Sequence, residues 1–244
     1  MEPIPTAVQL LNVWEQGRFQ TPAQRAWLLL RLAVPAVPDE TLSWYGAGQR
    51  DQELLGLRER VFGPRMLSLA QCPECGQEVE LDFSISELRA PAADARQSHH
   101  LQTDGYDLRF HLPLCADLAA LPARGEVGGH KRALLQCCVT EARCQGEPIA
   151  ADRLPAEVSD VLSRRMAELD PQGDIQLALT CPKCSRPWAA PLDIGSCLWQ
   201  EIHAWAERML REVHALAAAY GWREADILAL STVRRQAYLE LIRP

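Results

Sequence analysis

A mainly helical α+β fold is what the sequence predicts: helical N- and C-terminal regions around a zinc-ribbon-like β unit, itself split by a long α/β insertion. Three observations predict it. Two Cys-x-x-Cys pairs, Cys72/Cys75 and Cys181/Cys184, each sit within a stretch of period-two alternation. Outside those stretches, apolar residues recur at three and four, the spacing of a helix face. Between the pairs, the chain carries its own mixture of both periods. The predicted divisions are residues 1–66 as an N-terminal helical region, 67–90 and 175–194 as the two ribbon halves, 91–174 as the insertion and 195–244 as a C-terminal helical region.

Each element has a local reason. Thr6 can cap a helix carrying Val8, Leu11 and Trp14 and stopping at Gly17. Thr21-Pro22-Ala23-Gln24 has the form of a capping box, opening a helix through Trp27 and Leu30 to Ala33, before the Pro35 to Pro38 linker. A third helix is expected from about Gln49 to Phe62, with Leu54, Leu55, Leu57 and Val61 as its apolar side and Gly63-Pro64 as its stop. Val79, Leu81, Phe83 and Ile85 then alternate with polar neighbours, as a half-buried strand does. The pattern recurs at the second pair: Ile175, Leu177 and Leu179 approach Cys181, and Trp188, Ala190, Leu192 and Ile194 leave it. Superposing Cys72 on Cys181 places Val79 on Trp188, Phe83 on Leu192 and Ile85 on Ile194, so the unit reads as an internal repeat.

Within the insertion, Ala90 to Thr103 reads as a mobile loop and Tyr106, Leu108, Phe110 and Leu112 as a strand. Helices are expected near His130 to Ala142 and near Pro155 to Leu169. Beyond the second pair, Leu198, Ile202, Trp205, Met209, Val213, Leu216 and Tyr220 form one long apolar stripe ending at Gly221. Shorter helices should follow over Ala225 to Leu230 and over Ser231 to Ile242, with Ser231 as a cap. Core packing is the default reading of the stripe, and a partner-binding helix face is the sharper one.

Composition narrows the function classes. Of 244 residues, 48% are hydrophobic and 23% charged, values of ordinary globular domains rather than disordered or fibrous chains. The net charge of −7 argues against a general nucleic-acid binder, which needs a basic surface. No run reaches the ~18–20 apolar residues that span a bilayer, and Met1 to Pro5 lacks the basic and apolar regions of a secretory signal. A cytoplasmic protein with reduced thiols is the expectation.

In a reducing compartment, two Cys-x-x-Cys turns suggest metal before disulfide. Zinc takes four soft ligands in a tetrahedron, and each turn supplies two thiolates, so Cys72, Cys75, Cys181 and Cys184 together make a closed four-thiolate site for one structural Zn2+. Gly76 after the first turn suits a left-handed residue, whereas Ser185 at the matching position departs from the ideal. A redox dithiol would want a helix start after the first cysteine, where strand patterns follow here. Catalytic zinc needs an open ligand position, which four thiolates do not leave. Metal-free cysteines or another thiophilic ion remain as alternatives. The other five, Cys115, Cys137, Cys138, Cys144 and Cys197, read as small buried hydrophobes.

Other motifs fail on inspection. Gly125 to Lys131 superficially resembles a phosphate loop but does not satisfy its pattern. Gly195-Ser196-Cys197 lacks the spacing of a nucleophile elbow. His99-His100 reads as a solvated pair in a polar loop, and His203 and His214 as surface positions. No catalytic centre emerges.

Several segments together resemble a known family. They are Trp14-Glu15-Gln16-Gly17-Arg18, Gly48-Gln49-Arg50-Asp51 opening a Leu54-Leu55-x-Leu57-Arg58-Glu59 helix, Phe62-Gly63, and Cys72-Pro73-x-Cys75-Gly76. To these add Leu112-Pro113 with Ala116-Asp117-Leu118, Asp174-Ile175-x-Leu177, Asp193-Ile194-Gly195, and Tyr220-Gly221-Trp222 followed by Asp226-Ile227-Leu228-x-Leu230-Ser231. The chain resembles the T4-like phage baseplate hub assembly chaperones, in the zinc-knuckle form found with phage-tail-like contractile injection systems. That resemblance implies a non-enzymatic assembly chaperone or structural component. Its partners would be baseplate, hub, spike or tail-tube proteins, and its place the bacterial cytoplasm or an assembled tail-like particle.

Aromatic anchors dominate protein interfaces, so Trp199, Trp205, Trp222 and Tyr238 in the C-terminal helices are the expected partner contacts. Trp205 and Tyr220 lie on the apolar stripe and are equally open to a core reading. The rival from another class is a zinc-ribbon nucleic-acid-binding or transcription-associated module. Such a module should carry basic residues at its knuckles, yet Glu74, Glu78 and Glu80 surround the first and only Lys183 and Arg186 the second. An enzyme with zinc as a structural accessory is a third possibility.

Overall fold

The computed structural model describes residues 3–121 and 127–242, which leaves Met1, Glu2 and the Gly125 end of the phosphate-loop reading outside the described residues. Helix α1 (Ala7–Gly17) begins at Thr6, whose hydroxyl accepts the Gln9 amide while the Gln9 side chain accepts the Thr6 amide. Helix α2 (Pro22–Ala33) repeats this reciprocal box with Thr21 and Gln24. Both helix starts are therefore satisfied by sequence-local partners. A single helical turn, α3 (Asp39–Ser43), follows the proline linker. Sequence periodicity did not predict it, because five residues are too few to display a 3.6-residue period.

Helix α4 (Ala47–Phe62) stops at Gly63, whose φ of +90° lies in the left-handed region. Its start is unusual. The N-cap is Gly46, which has no side chain to offer, and the Gly48 amide donates instead to Oδ2 of the buried Asp170 at 2.9 Å. A Cβ on Gly48 would stand 2.0 Å from Oδ1 of the same carboxylate, so any other residue there would have to push Asp170 aside. A carboxylate at a helix N-terminus also meets the positive end of the helix dipole.

Strands β1 (Arg65–Gln71) and β2 (Glu78–Ser84) form an antiparallel hairpin in which Met66 faces Phe83 and Ala70 faces Val79. Ile85 does not extend β2; it opens a 3-10 turn over Ile85–Leu88 and is fully buried there. The insertion contributes β3 (His99–Thr103), β4 (Tyr106–Phe110), α5 (Cys115–Ala119), α6 (Val127–Cys138), β5 (Val139–Cys144), β6 (Glu147–Pro148) and α7 (Ala156–Leu169). Its four strands make one antiparallel sheet in the order β3-β4-β5-β6.

Two expectations are corrected in this insertion. The segment read as a loop becomes strand β3 from His99 onward, and the helix expected to reach Ala142 ends at Cys138, where β5 takes over. The cause is turn chemistry. Asp104 and Gly105 have φ of 47° and 78°, and Gln145 and Gly146 have 50° and 91°. Two consecutive left-handed residues make the tight turn whose twist matches a hairpin, so each dipeptide folds the chain back into a strand pair. The β-branched Val139 and Thr140 then favour strand over a further helical turn.

A second hairpin, β7 (Gln176–Thr180) and β8 (Pro187–Pro191), precedes the long helix α8 (Ile194–Tyr220). Asp193 caps α8, accepting the Ser196 amide at 3.1 Å, and Gly221 ends it with φ +67°. Helices α9 (Glu224–Leu228) and α10 (Thr232–Ile242) close the chain, and Ser231 accepts the Arg234 amide as a cap. The class is α+β, as expected, with the four cysteines in the β region.

Among the described residues, burial falls into three clusters. The largest joins α1, α2, α4 and the first half of α8 to the bases of both hairpins through Met66, Ile85, Ile175 and Leu192. A second, around Leu108, Phe110, Leu112, Val158 and Leu162, belongs to the insertion. The third packs the end of α8 against α9 and α10. Where the insertion leaves and rejoins, Ala93 donates to Asp170 at 3.4 Å and Ala90 to Gln172 at 2.7 Å, so both ends are held beside the start of α4. Among the described residues, no helix is long and apolar enough to cross a membrane.

Candidate metal centre

Residues 72–77 and 181–186 fold alike. The Cys72 amide donates to the Gln77 carbonyl at 2.9 Å, and that of Cys181 to Arg186 at 3.0 Å. The Gly76 amide donates to the Cys72 carbonyl at 3.0 Å, and that of Ser185 to Cys181 at 2.9 Å. Gly76 has φ +69° and Ser185 φ +58°, so both turns need the left-handed conformation and only one uses glycine.

The two turns meet crosswise. Cys72 Sγ lies 3.8 Å from Cys184 Sγ, and Cys75 Sγ lies 3.6 Å from Cys181 Sγ. All four sulfur atoms lie within 4.8 Å of one another. A tetrahedron with metal–sulfur bonds of about 2.3 Å has edges of about 3.8 Å, so the four thiols fit around one ion. Spacings near 3.7 Å are far beyond the ~2.05 Å of a disulfide. The sequence therefore chose four residues that the fold, across the whole insertion, brings to one point.

Their protonation is uneven. Amides of Cys184 and Lys183, with the neighbouring thiols, hold Cys181 down to about 6 against an opposing effect of burial. At Cys184 the Arg186 amide pulls the other way but is outweighed by burial and by the three nearby thiols, which push it up to about 12. Of these two, Cys181 gives up its proton more readily than Cys184, and an ion held by both would take them as thiolates.

The platform under the first hairpin is built by Arg58. The residue is 3% exposed, and its guanidinium donates to both carboxylate oxygens of Glu201 on α8, at 2.7 and 3.0 Å, and to the carbonyls of Gly63 at 2.6 Å and Arg65 at 2.5 Å. One side chain therefore ties the end of α4, the first residue of β1 and α8 together. Sequence reasoning missed it, although a signal was present: Arg58 falls on the apolar face of α4, between Leu54 and Val61. A charge on a buried stripe calls for a partner.

A second group, His111, Asp117 and Cys138, also clusters. Its polar members are already used by the backbone: a His111 ring nitrogen lies 2.9 Å from the Leu112 carbonyl, and Asp117 accepts the Leu114 amide at 2.9 Å. Burial pushes the Cys138 thiol far up, which opposes the thiolate a metal needs. The group reads as a brace for the strand end.

The remaining residues singled out by sequence divide. Cys115 and Cys138 are buried as expected and Cys144 and Cys197 partly so, but Cys137 is exposed. His100 is exposed and paired with Asp107, whereas His99 turns inward against Phe110, correcting the reading of both as solvated. His214 is at the surface, but His203 is half-buried and accepts the Trp14 indole N–H at 2.8 Å. Of the four aromatic residues expected to face a partner, Trp199 is 6% exposed, packed against Gly17 and under the Arg25 guanidinium, and so belongs to the core. Trp205 packs half-buried on that core. Trp222 and Tyr238 meet edge to face at 4.8 Å in the tail cluster, where Tyr220 stacks on Trp222.

No curated protein and no solved structure matches the chain. A family model does: that of the T4 bacteriophage base plate protein, over residues 36–190. The matched interval holds α4, the whole insertion, both hairpins except the last residue of β8, and all four clustered cysteines. It covers well over half of the sequence, and the chain belongs to the T4 bacteriophage base plate protein family.

Proposed function

We propose that this protein is a non-enzymatic assembly chaperone or structural component for the baseplate or hub of a contractile phage tail or phage-tail-like injection system. It works in the bacterial cytoplasm through protein–protein contacts with baseplate, hub, spike or tail-tube proteins, and can stay in the finished particle. The observation that carries this reading is the family match across both knuckles and the insertion between them. One structural Zn2+ held by Cys72, Cys75, Cys181 and Cys184 would fix the two hairpins to each other. An all-thiolate set suits zinc and, once closed, leaves no position for a reacting water, which favours a structural over a catalytic metal.

The test is capture from the native host. A tagged chain should retain baseplate, hub, spike or tube proteins, and should be found in sedimented tail particles if it stays after assembly. Recovery of nucleic acid, or binding to duplex DNA at low salt, would instead favour the rival ribbon module. Metal analysis of the purified chain should return one zinc per molecule.

A further inference from the structure

The duplicated hairpins share their knuckle and their register but not their outward faces. In β7–β8 the residues turned away from the core are small, neutral or proline, with Pro187 and Pro191 at the two ends of β8. Prolines of that kind blunt a strand edge against further pairing. In β1–β2 the outward face carries Leu67 and Leu69, 76% and 65% exposed, and the acidic side chains of Glu78, Glu80 and Asp82. Leu67 stands opposite Asp82 and Leu69 opposite Glu80.

Two further features belong to this face. Strand β1 has no neighbour except β2 among the described residues, and its seven residues include no proline, lysine or bulge to close its free edge. Asp82 is paired with Arg65, but none of the ion pairs among the described residues includes Glu74, Glu78 or Glu80. Two solvated leucines and a run of uncompensated carboxylates lie beside a free edge on one hairpin; the β7 edge of its sister copy is likewise without a neighbour among the described residues, but has neither leucines nor carboxylates on its outward face.

We propose that the outward face of the β1–β2 hairpin docks an extended, basic and apolar segment of a partner protein. The segment adds to the free edge of β1 as a further strand, sets apolar side chains beside Leu67 and Leu69, and directs lysine or arginine toward Glu74, Glu78 and Glu80. Backbone pairing supplies affinity and the alternate side chains supply selectivity. The charge decides the occupant: a second copy of this chain, net charge −7, would bring the same unpaired glutamates against each other. The inference does not depend on the baseplate reading, since it concerns the chemistry of one hairpin.

The probe is a fluorescein-labelled peptide of about eight residues alternating lysine and valine, long enough to span one strand, titrated into the full metal-loaded chain. Saturable binding is expected, with a Kd below about 1 mM, weakening as salt rises, and with slowed hydrogen exchange at the Leu67 and Leu69 amides. The double variant Leu67→Lys/Leu69→Lys should bind about tenfold more weakly. So should Glu78→Lys/Glu80→Lys, which leaves the leucines in place. The matching change on the sister hairpin, Ala178→Lys/Ala189→Lys, should leave binding as it was. Three results would overturn the proposal: no saturable binding, binding by both β1–β2 variants as tight as by the unaltered chain, or a concentration-dependent dimer that these variants abolish, which would give the face to a second copy.

Discussion

Ser185 and Gly76 hold the same left-handed position in the two knuckles, and an L-residue there costs about 1–2 kcal/mol that glycine avoids. Ser185→Gly should therefore raise stability by about 0.5–1 kcal/mol, while Gly76→Ala should lower it by about 1–2 kcal/mol. Denaturant titration of the metal-loaded protein reads both, and equal effects of the two changes would contradict the shared geometry. His99 makes a different prediction. Burial, and secondarily the charge of Arg165, lower its pKa from the ordinary 6.5, and its Nε2 is buried without a partner. Above pH 6.5 the ring is neutral whether the chain is folded or not. Below it the unfolded chain takes up a proton that the folded one resists, so stability falls as pH drops through that window. His99→Phe should remove that part of the acid sensitivity, seen as a smaller loss of unfolding free energy between about pH 7.5 and about pH 5.5. Arg58 is the residue whose loss reaches furthest. Arg58→Met leaves Glu201 and two carbonyls without their donor, and should cost about 3–5 kcal/mol by denaturant titration.

Among elements, legibility tracked whether the deciding interaction was local in sequence. The Thr6 cap of α1, the box of α2, the stop at Gly63, the alternation of the hairpins and the long stripe of α8 were all readable, because each is written within a few residues. The four thiols were readable although their turns lie far apart in sequence, because each turn is written within a few residues and the two match in type. The start of α4 was not readable: its cap is Asp170, remote in sequence, and no periodicity announces a carboxylate arriving from another segment. Strands β3 and β5 were missed although Asp104-Gly105 and Gln145-Gly146 lay in plain sight, since turn chemistry rather than hydrophobic period decides a short hairpin. Gly48→Ala tests the α4 arrangement: the added methyl has nowhere to go but into Asp170, and a loss of about 1–3 kcal/mol is expected. Ending the chain at Gly221 removes α9 and α10, whose packing forms its own small cluster. Metal content should be unchanged by it, while capture of a baseplate partner should be lost if Trp222 and Tyr238 carry that contact.

For the whole molecule the proposed metal would act as a clamp between distant segments rather than as the centre of a core. The main and insertion clusters are packed without it, so chelation should loosen the hairpins while most helical signal persists. With zinc held at about 1,000 times its Kd, binding to the folded state alone adds about 4 kcal/mol. Stripping it should then lower the melting temperature by about 8–16 °C for a chain of this size. Cys72→Ser or Cys181→Ser should match the stripped protein and gain nothing from added zinc. A variant that still melts with the loaded protein would remove the clamp from the fold.

The crosswise meeting of Cys72 with Cys184 and of Cys75 with Cys181 also sets a clock during synthesis. A ribosome adding about 5–20 residues per second needs roughly 5–20 s to make residues 76–180, which separate the knuckles. Throughout that interval the first hairpin exists as a half-site, two thiols without their complement. The insertion, with its own cluster and two tight turns, has time to fold before the second knuckle leaves the exit tunnel. Loading with the proposed metal would thus be a late step that only a nearly finished chain can complete, so a bound ion would certify that everything between the two turns has already been made.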